Sequence, residues 1–188
     1  MIIHTHRLVG EFLYQSLPNA MKNKVDHYSF VMGNMKPDLV KKYKQMSHYY
    51  SDNKEGVLKI FEALMQEPLT KKEFSDLLGV FMHFLCDYTC IYHANDYIYE
   101  AHSLRLHMQY EIKFHLYAMK KLKTLKQVQV YDFQTMSEAC SYIDKLIELT
   151  NIKDATPNIS HDFNEMMTLL PSIFFYILKN RDPRLDLS

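Results

Sequence analysis
The chain has 188 residues and 22.4 kDa, a length suited to a single domain. Glycine (4) and proline (6) are too scarce for a turn-rich sandwich or barrel, and an apolar share of 47% argues against disorder. A net charge of zero gives no global field directed at nucleic acid or an anionic membrane. Apolar residues recur three and four apart through most of the chain, the helical period. Leu8, Phe12, Leu13 and Leu17 mark a first helix that ends before Pro18. A short second helix is predicted over Val25 to Met32, with Gly33-Asn34 as its stop. Met35 to Asp52 reads as connecting structure with a helical turn. Leu58, Phe61, Leu64 and Met65 form an amphipathic helix that stops near Pro68. Thr70 and Glu73 make a capping box, and the helix they open runs through Leu77, Phe81, Leu85 and Tyr88. A further long helix starts near Asp96 or His102 and ends about Lys123. Two more start at Ser137 and at Ser160 or Asp162, the last carrying Pro171 as a kink or a first-turn residue. The expectation is one all-α domain over 1–188, a multi-helix bundle with a metal site in its core.

The anomaly of composition is ten histidines, roughly twice the usual share. His83 and Asp87 are four apart on the central helix, and His107 and Glu111 repeat that spacing on the next. Each pair therefore projects from one helix face, and His93 lies near the turn between them. Two antiparallel helices offering such pairs inward make a metal cage in a bundle core, with a ligand chemistry that suits zinc. The plain alternative for each pair is a surface interaction worth a few tenths of a kcal/mol. The apolar flanks VFMHFL and LCDYTC oppose a solvated face, although a buried ion pair would satisfy them as well.

The run His83-x3-Asp87-x5-His93-x13-His107-x3-Glu111 resembles the metal-binding core of the bacterial zinc-dependent phospholipase C family, related in fold to fungal zinc nucleases. Upstream, Asp38 in GNMKPDL, His48 in HYYSD and Thr5-His6-Arg7-Leu8 resemble further motifs of that family. The resemblance implies an all-helical fold holding two to three zinc ions. It implies that Asp38, His48, His83 and Asp87 hold one ion, and that His93, His107 and Glu111 hold a second. Asp87 would bridge to a third ion that also uses His6, and Asp38 would double as a general base. Secreted relatives complete that third site with the amine and carbonyl of an N-terminal Trp. This chain has no Trp, and His4 is the residue offered in its place.

The implied activity is hydrolysis of a phosphate ester, with metal-activated water attacking phosphorus. The same fold would equally serve a nuclease or nucleotide phosphatase, and a rival reading is a non-catalytic helical interaction module stapled by metal. Cys86, Cys90 and Cys140 cannot pair evenly, the N-terminus does not resemble a signal peptide, and no apolar run spans a bilayer, so a cytoplasmic protein is expected. Cys86 and Cys90 read as small buried hydrophobes. His102 reads as structural or exposed, and His115 as a surface residue or an outer partner of the site. His27 and His161 have no partner at ligand spacing. Tyr49, Tyr50 and Tyr92 flank ligands and are candidates for lining a pocket. The lysines Lys113, Lys120, Lys121, Lys123 and Lys126 read as a solvated helix face.

Overall fold
The structure is a computed structural model that describes residues 1–101, 103–125 and 128–187, with the side chains of 99 and 101 left out. His102 and Lys126 lie outside the described residues. The helices follow in order: α1 (Ile3–Gln15), α2 (Asn19–Lys22), α3 (His27–Leu39), α4 (Lys41–Lys44) and α5 (Tyr50–Gln66). The two-residue strand β1 (Leu69–Thr70) precedes α6 (Lys71–Tyr88), α7 (Ile91–Ala94), α8 (Asp96–Ala101) and α9 (Leu104–Leu122). Helices α10 (Met136–Thr150) and α11 (Ile159–Asn180) lead to a 3-10 turn over Pro183–Leu185 and β2 (Asp186–Leu187). Strands β1 and β2 pair in parallel through Leu69 with Asp186 and Thr70 with Leu187, a small clasp in an all-α fold. Among the described residues, no helix is long and apolar enough to cross a membrane.

Helix α6 is the axis of the bundle. Its capping box forms in full, with the Thr70 hydroxyl accepting from the Glu73 N–H and the Glu73 carboxylate accepting from the Thr70 N–H. From Leu78 to Tyr88 every side chain or Cα is buried, because α1, α3, α5 and α11 pack around it.

Helix α3 runs five residues beyond the stop expected at Gly33-Asn34. Gly33 is a packing residue and not a terminus. A Cβ on Gly33 would lie 2.2 Å from the Asp76 carbonyl oxygen, and one on Gly79 would lie 2.2 Å from that of Phe30. The two glycines thus let the backbones of α3 and α6 touch, and tertiary packing overrides the local stop signal. Of the two starts expected for the next long helix, the structure agrees with the later one, near His102: the Ser103 hydroxyl accepts from the Leu106 N–H and opens α9, and Asp96–Ala101 forms a separate short helix. Helix α11 continues through Pro171.

Asp162 of α11 ties two further elements into place. It is 1% exposed, and its Oδ2 accepts from the Ile91 N–H of α7 at 2.9 Å and from the Tyr110 hydroxyl of α9 at 2.7 Å. Burial raises its pKa to about 6 against the pull of those two donors.

Two predictions test this packing. Gly79→Ala should destabilise the fold by at least about 3 kcal/mol in urea denaturation, the upper range for overpacking, because backbone and not a flexible side chain blocks the new methyl. The second concerns pH. An acid with a raised folded pKa binds its proton more tightly when folded, so Asp162 costs stability as pH rises from 3.8 to about 6. Asp162→Asn can keep both bonds through its one carbonyl oxygen. Wild type should therefore lose about 3 kcal/mol relative to Asp162→Asn between about pH 4 and pH 7, measured by urea denaturation at each pH.

Candidate metal centre
The eight residues singled out from the sequence converge. Three groups of donors form, the first two sharing His83, each with its atoms within 4.8 Å of one another: His6, His83 and Asp87; Asp38, His48 and His83; His93, His107 and Glu111. They come from α1, α3, the segment before α5, α6, α7 and α9.

Asp87 lies at the centre with a side chain 0% exposed. Its two oxygens face different groups. Oδ2 is 2.7 Å from His48 Nδ1 and 3.3 Å from His83 Nε2, while Oδ1 is 3.2 Å from His6 Nε2. His83 is oriented by its other nitrogen, since Nδ1 donates to the Asn34 carbonyl at 2.8 Å across the α3–α6 contact. In its neutral form, His83 therefore turns a lone pair on Nε2 toward a carboxylate oxygen. Two acceptors at that distance repel unless a cation lies between them. The third group repeats the pattern, with Glu111 Oε1 2.8 Å from His107 Nε2 and 3.0 Å from His93 Nε2. The two imidazole nitrogens are themselves 3.2 Å apart, where at most one can donate to the other.

The donor set fits zinc on two grounds. Tetrahedral ligands at Zn–N distances near 2.1 Å stand about 3.4 Å apart, close to the separations here. Asp38 Oδ2 is a buried carboxylate oxygen with no hydrogen-bond partner, and only a cation or donor not supplied by the protein would offset that cost. The protonation states agree in most of the site. Burial lowers His6 to about 3, with the nearby His83 adding to the effect, and lowers His93 to about 4, so both are neutral donors. Asp87 and Glu111 are held well below the usual carboxylate range: burial opposes their charge, and it is outweighed at Asp87 by the Met1 amine and histidines and at Glu111 by bonds from His107 and His93. His48 moves the other way. Burial resists its charge, but the bond to Asp87 raises its pKa.

One participant escaped the sequence reading. The α-amine of Met1 bonds Asp87 Oδ1 and lies 3.2 Å from both His93 Nε2 and Glu111 Oε1, and the Met1 carbonyl is 3.2 Å from His6 Nε2. Burial disfavours its charge, yet Asp87 and Glu111 raise its pKa to about 11. Main-chain groups have no signature in a sequence pattern, so only the missing Trp pointed to this place. His4 is exposed, its ring 6.3 Å from that of His115, and it is outside all three groups.

The chain matches the family model described as zinc dependent phospholipase C over residues 5–169. It belongs to that family. No curated protein and no solved structure matches the chain. Zinc dependence is thus carried by both the family and the clustered donors.

Around this family site, Tyr92 stacks on His107 at 4.9 Å and the Tyr49 ring lies 5.4 Å from that of His93. Tyr50 instead bonds Asp144 and packs edge-on against Tyr88. His115 Nδ1 is 3.1 Å from the Thr5 hydroxyl, outside the three groups. Cys86 and Cys90 are fully buried with their thiol pKa values pushed up by that burial, which makes them inert packing residues. His27 pairs with Glu11 at 2.7 Å, and His161 faces Glu165 at 4.0 Å.

Metal removal provides the test of this centre. Zinc at a hundredfold excess over its Kd should add about 2.7 kcal/mol to the unfolding free energy, and so raise Tm by roughly 5–10 °C over chelated protein. Thermal scans with and without chelator read this directly, and Asp87→Asn should remove most of the difference.

Proposed function
We propose that this chain is a zinc-dependent hydrolase of phosphate esters, a phosphodiesterase of the phospholipase C type. The observation that carries the reading is the open edge of the centre. His6, His83 and Asp87 are fully buried, whereas the side chains of His48 and Asp38 remain 22% and 24% exposed. A purely structural metal staple is closed by protein on all sides, while a catalytic one keeps an accessible position. That difference favours the hydrolase over the interaction module.

On this reading Asp38, His48, His83 and Asp87 hold one zinc ion and His93, His107 and Glu111 a second. His6 and Asp87, joined by the Met1 amine and carbonyl, offer a third place. The ions would lower the pKa of water and neutralise charge on the phosphoryl group. Asp38 takes the proton. Burial, with the charge of Asp87 adding to it, raises Asp38 above its ordinary value over the counter-pull of His83, so its carboxylate is the more basic of the site. Tyr92, stacked on His107, holds that imidazole in place and covers it from water.

The whole chain acts as one domain in this account, since α11 packs on α1, α5, α6 and α9 alike. Three free thiols support a reducing, cytoplasmic setting.

A panel of chromogenic phosphodiesters and monoesters, assayed with zinc and with chelator, tests the proposal. His83→Ala and Glu111→Ala should each lower turnover by at least about 100-fold, beyond what loss of an outer partner costs, with helix content unchanged by circular dichroism. Turnover that survives in either variant or in chelated protein overturns the reading.

A further inference from the structure
Helix α9 is apolar on both sides. Its inner face carries His107, Tyr110, Glu111, Phe114 and Ala118 into the core. Its outer face should be polar, as on an ordinary surface helix. It presents instead Leu104, Met108, Ile112 and Leu116, spaced four apart and 73%, 42%, 48% and 56% exposed. Such spacing forms one continuous ridge. Arg105, Lys113, Lys120, Lys121 and Lys123 are exposed along the same helix and its C-cap, and its one acid, Glu111, is buried. Against the last turns of α9 lies a groove of about 300 Å³ lined by Leu8, Phe12, Met119, Leu122 and Lys123, with Glu11 and Gln15 at its edge.

The charge decides what this face meets. A second copy docking through the same ridge about a two-fold axis would set five cations against five, with no exposed acid on the helix to answer them. A polyanion such as nucleic acid would match the cations but strand the large apolar side chains against phosphate. An anionic lipid layer satisfies both, because hydrocarbon lies directly beneath its negative head groups. We propose that the outer face of α9 docks on an anionic phospholipid surface. The ridge enters the boundary between head groups and acyl chains, and the cations stay among the head groups. The helix lies in the plane of the surface along its 19 residues, about 28 Å. The net charge of zero conceals this face, since the acids that balance it lie on other elements.

The experiment needs no turnover, so its outcome is independent of the hydrolase reading. The zinc-loaded full chain is pelleted with sucrose-filled vesicles of phosphatidylcholine alone or mixed with phosphatidylserine. Binding to the mixed vesicles should exceed binding to the neutral ones by at least about tenfold and fall as salt is added. Both Leu104→Glu/Leu116→Glu and Lys120→Glu/Lys121→Glu should weaken it at least about tenfold with Tm unchanged, because all four side chains are exposed. Three outcomes overturn the proposal: no binding to anionic vesicles, variants that bind like wild type, or a dimer in light scattering that Leu104→Glu/Leu116→Glu dissociates.

Discussion
A carboxylate sealed from water stays ionised only where positive charge and hydrogen-bond donors surround it, since stripping its hydration costs several kcal/mol even after relaxation. Asp87 is in that position at the last turn of α6, and the arrangement of the bundle follows from it. Helix α1 lies against α6 and α9, which brings His6 and the Met1 amine to Oδ1. The segment before α5 brings His48 to Oδ2. Helix α9 supplies Glu111, which holds His93 and His107 beside the same amine. Remove the carboxylate and these groups lose their common partner, while the imidazoles and the amine remain buried together. The centre is thus a set of mutually dependent charges, each tolerable only because the others are present.

The distances in that set are fixed by packing some way off. Gly33 and Gly79 allow α3 and α6 to approach at backbone contact, and this approach brings the Asn34 carbonyl within 2.8 Å of His83 Nδ1. The bond selects the tautomer of His83 and aims its Nε2 at Asp38, His48 and Asp87. A methyl group at either glycine would push the helices apart and misdirect a nitrogen shared by two of the three donor groups. On the other side, Asp162 grips the first turn of α7 and Tyr110 of α9 at once, and so fixes the place of His93 relative to His107 and Glu111. Stability and site geometry are therefore the same contacts viewed at two scales.

This explains which parts were legible in the sequence. The pairs His83/Asp87 and His107/Glu111 could be read because the helical period alone places them on one face. The capping box before α6 could be read because both of its bonds are local. Helix α3 was read too short because Gly-Asn is a sound local stop, overruled only by a neighbour 46 positions further along the chain, Gly79. The sequence leaves the start of α9 open between Asp96 and His102 because a serine cap with a helical pattern on both sides is a weak mark. Asp162 looks like a first-turn acid until α7 and α9 are seen against it. The Met1 amine belongs to no residue type, so no pattern of side chains could reveal it.

The two carboxylates nearest His83 have opposite settings. Asp87 is enclosed by imidazoles and an ammonium group and stays anionic across the working range of pH. Asp38 is half-buried at the open edge, where burial and the repulsion of Asp87 raise its affinity for a proton. A pair whose environments drive their basicity apart is suited, on the proposed hydrolase reading, to divided labour: one member as a permanent charge, the other as a place for a proton to arrive and leave. Enclosure makes Asp87 unable to exchange protons with solvent, and exposure makes Asp38 able to. On the hydrolase reading proposed above, a substrate would enter at that edge, because the remaining donors are buried. Chemistry and access would then coincide at Asp38 and His48, while the rest of the bundle keeps the other donors buried.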